Sequence, residues 1–248
     1  MINFPKRGGV TVKLSSPSLC GVKTISFLAK LIIAGSMFAP IAFSQQEQYS
    51  VHPDSKKQAG VPRGKVTQAK FADSTVYPGT DRDYWIYVPA QYEPGQTASL
   101  MVFQDGKAYV NGSTFNALDN LIHRRDIPVM IGVFVNPGVV PPQNENAQTR
   151  FNRSLEYDDI SDRYSQFLID ELLPHIERTH DVQFSIDPNL RGITGASSGA
   201  ICAFNVAWHR PDSFHRIYST IGTYVGLRGG AEIPTLIRKT EPKPLRIF

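Results

Sequence analysis

What most constrains the fold of this chain is a set of short apolar runs with no internal polar period. VMIGVFV at 129–135 and SLMVFQ at 99–104 are the plainest, and DYWIYV at 83–88 is nearly as apolar. A strand with one face in water alternates apolar and polar residues, whereas a strand apolar at almost every position has to be covered on both faces. Similar runs lie at 66–71, 190–194, 217–221 and 245–248. Helical segments fall between them. The best is expected over 161–179, where Ile160, Tyr164, Phe167, Leu168, Leu172 and Ile176 share one stripe and Ser161 is placed to cap the start. Pro174 should bend this helix or end its regular part. A further helix is expected from Ser198 to His209, stopping before Pro211. Strands and helices alternating in this way imply an α/β fold: a three-layer sandwich with a mostly parallel sheet between helices. The first two strands, separated by Pro78-Gly79, fit an antiparallel hairpin at one edge.

With 248 residues, 41% of them hydrophobic and 19% charged, the chain has room for one sizeable domain and is too apolar for a disordered one. Residues 1–44 contain Lys6, Arg7, Lys13, Lys23 and Lys30 but no acidic residue. An apolar run follows at 31–39, then Ala42-Phe43-Ser44. That order reads as a secretory signal peptide, which places the mature protein outside the cell or in a periplasm. The run is shorter than the ~18 apolar residues of a spanning helix, so no stable membrane insertion is expected once the leader is removed. Residues 45–62 are polar and carry Pro and Gly, and read as a linker; 63–248 is the domain.

The leader also accounts for the basic balance of 26 Lys and Arg against 22 Asp and Glu; without its five basic residues the count is 21 to 22. A nucleic-acid partner is therefore not expected. Cys20 leaves with the leader, so Cys202 stands alone as a buried small hydrophobe with no disulfide. No Cys/His cluster or His-Glu-x-x-His pattern calls for a metal, and no cofactor is expected.

The stretch ITGASSGA at 193–200 admits two chemistries. Thr194-Gly195-Ala196-Ser197-Ser198-Gly199 looks like the nucleotide loop of a short-chain dehydrogenase, but it is also Gly-x-Ser-x-Gly, the strained turn that presents a serine nucleophile. A dinucleotide loop follows the first strand of its domain, whereas this motif comes about 130 residues into it. Ile201 stands where a further glycine is wanted, and no tyrosine has a lysine four residues later. The hydrolase reading needs a strand, a sharp turn and a helix, and the pattern supplies all three. Ser197 then projects from the carboxyl edge of the sheet with its hydroxyl exposed. The Ser198 N–H, opening the helix, faces the developing oxyanion.

Four segments together are more selective: MVFQDGKAY (101–109), RSLEYDDISDRYSQFLIDELLP (153–174), RGITGASSGAICAFNVAWHRPDSF (191–214) and IGTY (221–224). They resemble the esterase family of the α/β-hydrolase fold that includes enterochelin (ferric siderophore) esterases, esterase D and the mycolyltransferases. The resemblance covers roughly 66–248 and implies hydrolysis of a small-molecule carboxylic ester through an acyl-enzyme on Ser197. It places the second oxyanion donor at the Lys107 N–H, with Asp105 and Gly106 shaping that loop. Tyr224, in the glycine-rich run 222–230, is a candidate substrate contact.

A serine needs a histidine to take its proton and a carboxylate to hold the histidine. His209 lies twelve residues past Ser197, which along a helix is roughly 18 Å and towards the opposite edge. His123, His175, His180 and His215 belong to that same edge, and His52 is in the linker. The family pattern continues past strand 245–248 with an acid loop and a histidine loop, so the domain reads as C-terminally incomplete and nearly inactive, with an open sheet edge. An acyltransferase shares this chemistry; a noncatalytic or vestigial binding protein is the contrasting class. Arg150, Arg153, Glu156 and Asp158 read as a solvated charge cluster or the mouth of a pocket. The sequence does not specify the oligomeric state.

Overall fold

The computed structural model describes residues 50–226 and 228–248; the expected leader and the first part of the expected linker lie outside the described residues. Continuous apolar runs become central strands. β2 (Arg82–Val88), β3 (Thr97–Gln104) and β4 (Met130–Val135) send alternate residues to opposite faces of the sheet. Tyr84, Ile86, Leu100, Val102, Ile131, Val133 and Val135 enter one core; Trp85, Tyr87, Phe103 and Phe134 enter another. Burial on both faces is why no polar period is visible in these segments.

β1 (Lys65–Phe71) pairs antiparallel with β2 as the expected edge hairpin. Beyond it the order is β1-β2-β4-β3-β8-β9-β10, with β8 (Arg191–Ala196), β9 (Arg216–Thr220) and β10 (Arg246–Ile247) parallel to β3 and β4. Three two-residue strands were not legible in the sequence: β5 (Val139–Val140), β6 (Arg150–Phe151) and β7 (Gln183–Phe184). From β3 the chain moves one way to β4 and later returns on the other side to β8. The carboxyl ends of β3 and β8 therefore flank a topological switch point, where open α/β sheets hold their ligands.

α1 (Gly112–His123) packs Leu118 and Ile122 on one face of the sheet. On the other lie α2 (Arg153–Tyr157), α3 (Arg163–Gln166), α4 (Leu173–His180) and α5 (Ser198–His209). The architecture is thus the three-layer α/β sandwich with a mostly parallel sheet. Helix α5 is apolar almost all round because α6 (Ile233–Lys239) covers its far side, with Ile233 against Ile201, Phe204 and Trp208. The expected helix over 161–179 is continuous but widens to a π turn at Phe167–Leu172, just before Pro174. Proline has no N–H to give and its ring crowds the carbonyl four residues back; the wider turn makes room for it. That turn also presents Glu171, which accepts hydrogen bonds from Ser74 Oγ (2.6 Å) and the N–H groups of Thr75 (2.9 Å) and Val76 (3.0 Å), pinning the β1–β2 connection.

Within 50–62 the chain is tied to α1. Asn120 Nδ2 donates to Asp54 O and Lys56 O, and Arg124 forks onto the Asp54 carboxylate at 2.7 and 3.0 Å. At the other side of the sheet Tyr218, Ile247 and Phe248 are exposed, and Met101, Leu190, Gly192, Tyr218 and Phe248 line a groove of about 440 Å³.

The strongest polar lock is Arg82 with Glu156, both fully buried and paired at 2.6 and 3.0 Å. Arg82 also donates to Asn136 O, Glu156 accepts from Gly138 N–H, and the guanidinium lies 4.0 Å from the Phe167 ring centroid. The pair ties β2, the loop after β4 and α2 together. Glu156→Ala is expected to strand a buried guanidinium and to cost about 3–5 kcal/mol in urea unfolding; a loss under about 1 kcal/mol would show that the pair holds nothing.

Candidate active site

The turn between β8 and α5 is sharp because three residues allow it. Ser197 has φ +56° and ψ −121°, a positive-φ conformation that a non-glycine residue rarely adopts and that typically costs about 1–3 kcal/mol. Its N–H donates to Thr220 O of β9 at 3.1 Å, which holds the strained residue in place. A Cβ on Gly195 would stand 2.3 Å from the Gly199 backbone, so the strand and the helix approach more closely than any side chain permits. Gly199 is flanked in turn by the Asp105 carboxylate, 3.1 Å from where its own Cβ would be. The Ser197 side chain is half-buried, and its Oγ lies 2.8 Å from Thr223 Oγ1. Thr223 lies inside the IGTY stretch at 221–224, but the sequence did not single it out.

The loop after β3 comes next to this turn. Asp105 takes a left-handed conformation (φ +55°, ψ +44°), and a Cβ on Gly106 would stand 2.3 Å from the Phe134 carbonyl carbon, so the loop presses against β4. The Lys107 N–H is engaged: it donates to Asn136 Oδ1 at 3.0 Å. Ser198 is buried as the first residue of α5. Tyr224 is half-buried with its hydroxyl held at Ser219 Oγ (2.6 Å) and Ala200 O (3.3 Å), and it packs on the Phe204 ring.

The charge cluster at 150–158 is only partly solvated: Arg150 is exposed, but its acidic members are not. Glu156 and Asp158 are buried, Glu156 in the pair with Arg82 and Asp158 accepting from Ser154 Oγ at 2.6 Å. Arg153 grips Asp105 with two parallel hydrogen bonds, Nε to Oδ1 at 2.8 Å and Nη2 to Oδ2 at 2.7 Å. These bonds to Asp105 raise the Arg153 guanidinium above its ordinary value. Tyr157 OH accepts from the Asp105 N–H at 3.1 Å, and burial pushes its phenol well above the usual range, so it stays protonated. Burial likewise raises the thiol of Cys202, which is free and inert in the core. Asn152, which begins the sequon Asn152-Arg153-Ser154, is buried and out of reach of glycosylation.

Four of the histidines are engaged elsewhere. His175 packs on Phe71 and Tyr84, His180 Nε2 meets Tyr84 OH at 3.0 Å, His209 Nε2 meets Ile160 O at 2.7 Å, and His215 Nδ1 meets Asn189 Oδ1 at 3.1 Å. His123 ends α1 and His52 precedes the turn at 53–55. Among the described residues no group of three His, Cys, Asp or Glu side chains is gathered around a point, and no helix is long and apolar enough to cross a membrane.

The family described as "Putative esterase" matches residues 75–224, from the β1–β2 connection through the serine turn to Tyr224. The chain belongs to that family. Solved structures place it among esterases in fold. The enterobactin esterase FES from Shigella flexneri superposes with a TM-score of 0.59 at 19% identity, covering 81% of this chain and 49% of that one. The ferulic acid esterase AmCE1/Fae1A from the anaerobic fungus Anaeromyces mucronatus gives 0.52 at 19% identity, covering 66% of this chain and 60% of that one. Another ferulic acid esterase gives 0.53 at 17%, with 73% of each chain covered. This chain thus spans about half the length of the enterobactin esterase. No curated protein matches the sequence.

Gly195→Ala tests the geometry of this esterase-family turn. The added methyl meets backbone rather than a flexible side chain, so thermal unfolding should show a loss of at least about 1–3 kcal/mol. An unchanged melting temperature would mean that β8 and α5 are not held this close.

Proposed function

We propose that this chain is the core of a secreted or periplasmic serine esterase acting on a small-molecule carboxylic ester. Ser197 Oγ attacks the ester carbonyl and gives its proton to a base. The carbonyl oxygen becomes an oxyanion over the amino end of α5, held by the Ser198 N–H and by the Lys107 N–H once Asn136 yields it. Collapse expels the alkoxide as the alcohol and leaves an acyl group on Ser197. Water then attacks that acyl-enzyme to release the acid; an alcohol in place of water would make the same site an acyltransferase.

The observation that carries the reading is the positive φ of Ser197 between a buried strand and a helix start. Strain at one polar residue, braced on both sides by glycines, is what a nucleophile turn requires and an ordinary structural turn does not. No histidine among the described residues is hydrogen-bonded to Ser197 Oγ, whose partner is Thr223, so the reading needs a proton acceptor that these contacts do not supply. A second reading, a noncatalytic binder using the same turn, is favoured by the contact that Ser197 Oγ makes among the described residues: Thr223 is no base.

Imidazole in solution separates the two. If Ser197 lacks only a proton acceptor, labelling by a fluorophosphonate should rise in proportion to the imidazole concentration, with the adduct on Ser197 by peptide mapping. Ser197→Ala should abolish it. A labelling rate at Ser197 that stays at the solvent background at every imidazole concentration would favour the binder.

A further inference from the structure

We propose that Arg153 is a positioning residue for the oxyanion loop. Its guanidinium clamps Asp105 in the left-handed turn that aims Gly106 and Lys107, and it neutralises a carboxylate lying against the amino end of α5. The proposal rests on the esterase reading of Ser197 and deepens it.

Asp105 sits in an awkward place for an acid. Its Oδ2 would be 3.1 Å from a Cβ on Gly199, so the carboxylate touches the first turn of α5. That helix end carries unpaired N–H groups and the positive pole of the helix dipole, the features that would stabilise an oxyanion above Ser197. An unpaired Asp105 would compete for those groups and repel the developing negative charge at close range. Arg153 occupies both carboxylate oxygens, at 2.8 and 2.7 Å, in the fork geometry that only a guanidinium supplies.

The backbone of Asp105 is held from the same helix. Tyr157, four residues on from Arg153 and therefore on the same face of α2, accepts the Asp105 N–H and donates to Val135 O at 3.4 Å. The Arg153 guanidinium lies 5.5 Å from the Tyr157 ring centroid, so the two side chains brace each other. Between them Glu156 fastens α2 to Arg82 and to the loop after β4. One short helix thus holds both the carboxylate and the backbone N–H of Asp105, the residue that caps the 3-10 turn Gly106–Ala108.

The test compares wild type, Arg153→Ala, Arg153→Lys and the double variant Asp105→Gly/Arg153→Ala in imidazole-supported acylation of Ser197, together with amide resonances of Gly106, Lys107 and Ser198. Arg153→Ala should slow acylation by about 10²-fold, the scale of one lost oxyanion donor, with half-saturation of the probe unchanged within about twofold. Lysine, a point charge, should recover less than about a tenth of that loss. The double variant should recover most of it, because glycine adopts the left-handed turn freely and brings no charge. The three resonances should move in Arg153→Ala and return in the double variant. Should Arg153→Ala fail to fold, Arg153→Gln replaces it with the same expected loss. Unaltered acylation and resonances in the single variants, or a double variant as slow as Arg153→Ala, would overturn the proposal. If wild-type Ser197 does not acylate at all, the esterase reading falls, and the resonances alone still decide the clamp: displacement confined to the loop supports it, and no displacement overturns it.

Discussion

The serine turn depends on how closely strand β8 approaches helix α5. The chain can pass from one to the other in a single residue only because Gly195 and Gly199 touch backbone to backbone, and the residue between them must then take a positive φ. Ser197 stands there, tethered through its N–H to β9. Its half-buried hydroxyl meets Thr223 Oγ1 at 2.8 Å. The strain is sustained by the surrounding sheet, in which β3, β4, β8 and β9 are parallel and the first three largely buried.

The second half of the site is electrostatic and comes from the opposite flank of the switch point. The loop after β3 forms only a single 3-10 turn, Gly106–Ala108, and is fastened to its surroundings by side chains: Arg153 and Tyr157 from α2, Asn136 from the end of β4, and a close backbone contact at Gly106. These holders are linked to one another through the buried Arg82–Glu156 pair. A buried ion pair contributes little net stability against a well-packed apolar replacement. Its value here lies in fixing the loop after β4 and α2 relative to β2. The Lys107 N–H, satisfied by Asn136 in the free protein, would exchange that partner for a substrate oxygen at little cost, since one hydrogen bond replaces another.

The sheet was legible because burial on both faces erases the polar period, and the runs at 83–88, 99–104 and 129–135 fall within a residue or two of β2, β3 and β4. The serine turn was legible because its glycines and its strand-to-helix setting are local in sequence. What lay hidden was long-range. Nothing near Glu156 in the chain announces Arg82, so a cluster at 150–158 that looked solvated is partly core. Asn136 gave no pattern, and Thr223 was not picked out of IGTY, since each matters only through a partner brought by folding. The two-residue strands and the five-residue helix α2 are too short for any period to register.

The strain at Ser197 can be measured directly by comparing Ser197→Gly with Ser197→Ala in chemical denaturation. At an ordinary position with negative φ, alanine is the more stable by about 0.5–1 kcal/mol, because glycine loses more backbone freedom on folding. At a positive-φ turn the order inverts. The account predicts that the glycine variant is the more stable by about 1 kcal/mol; the alanine variant proving more stable would contradict it, and with it the case for a serine held ready for acyl chemistry.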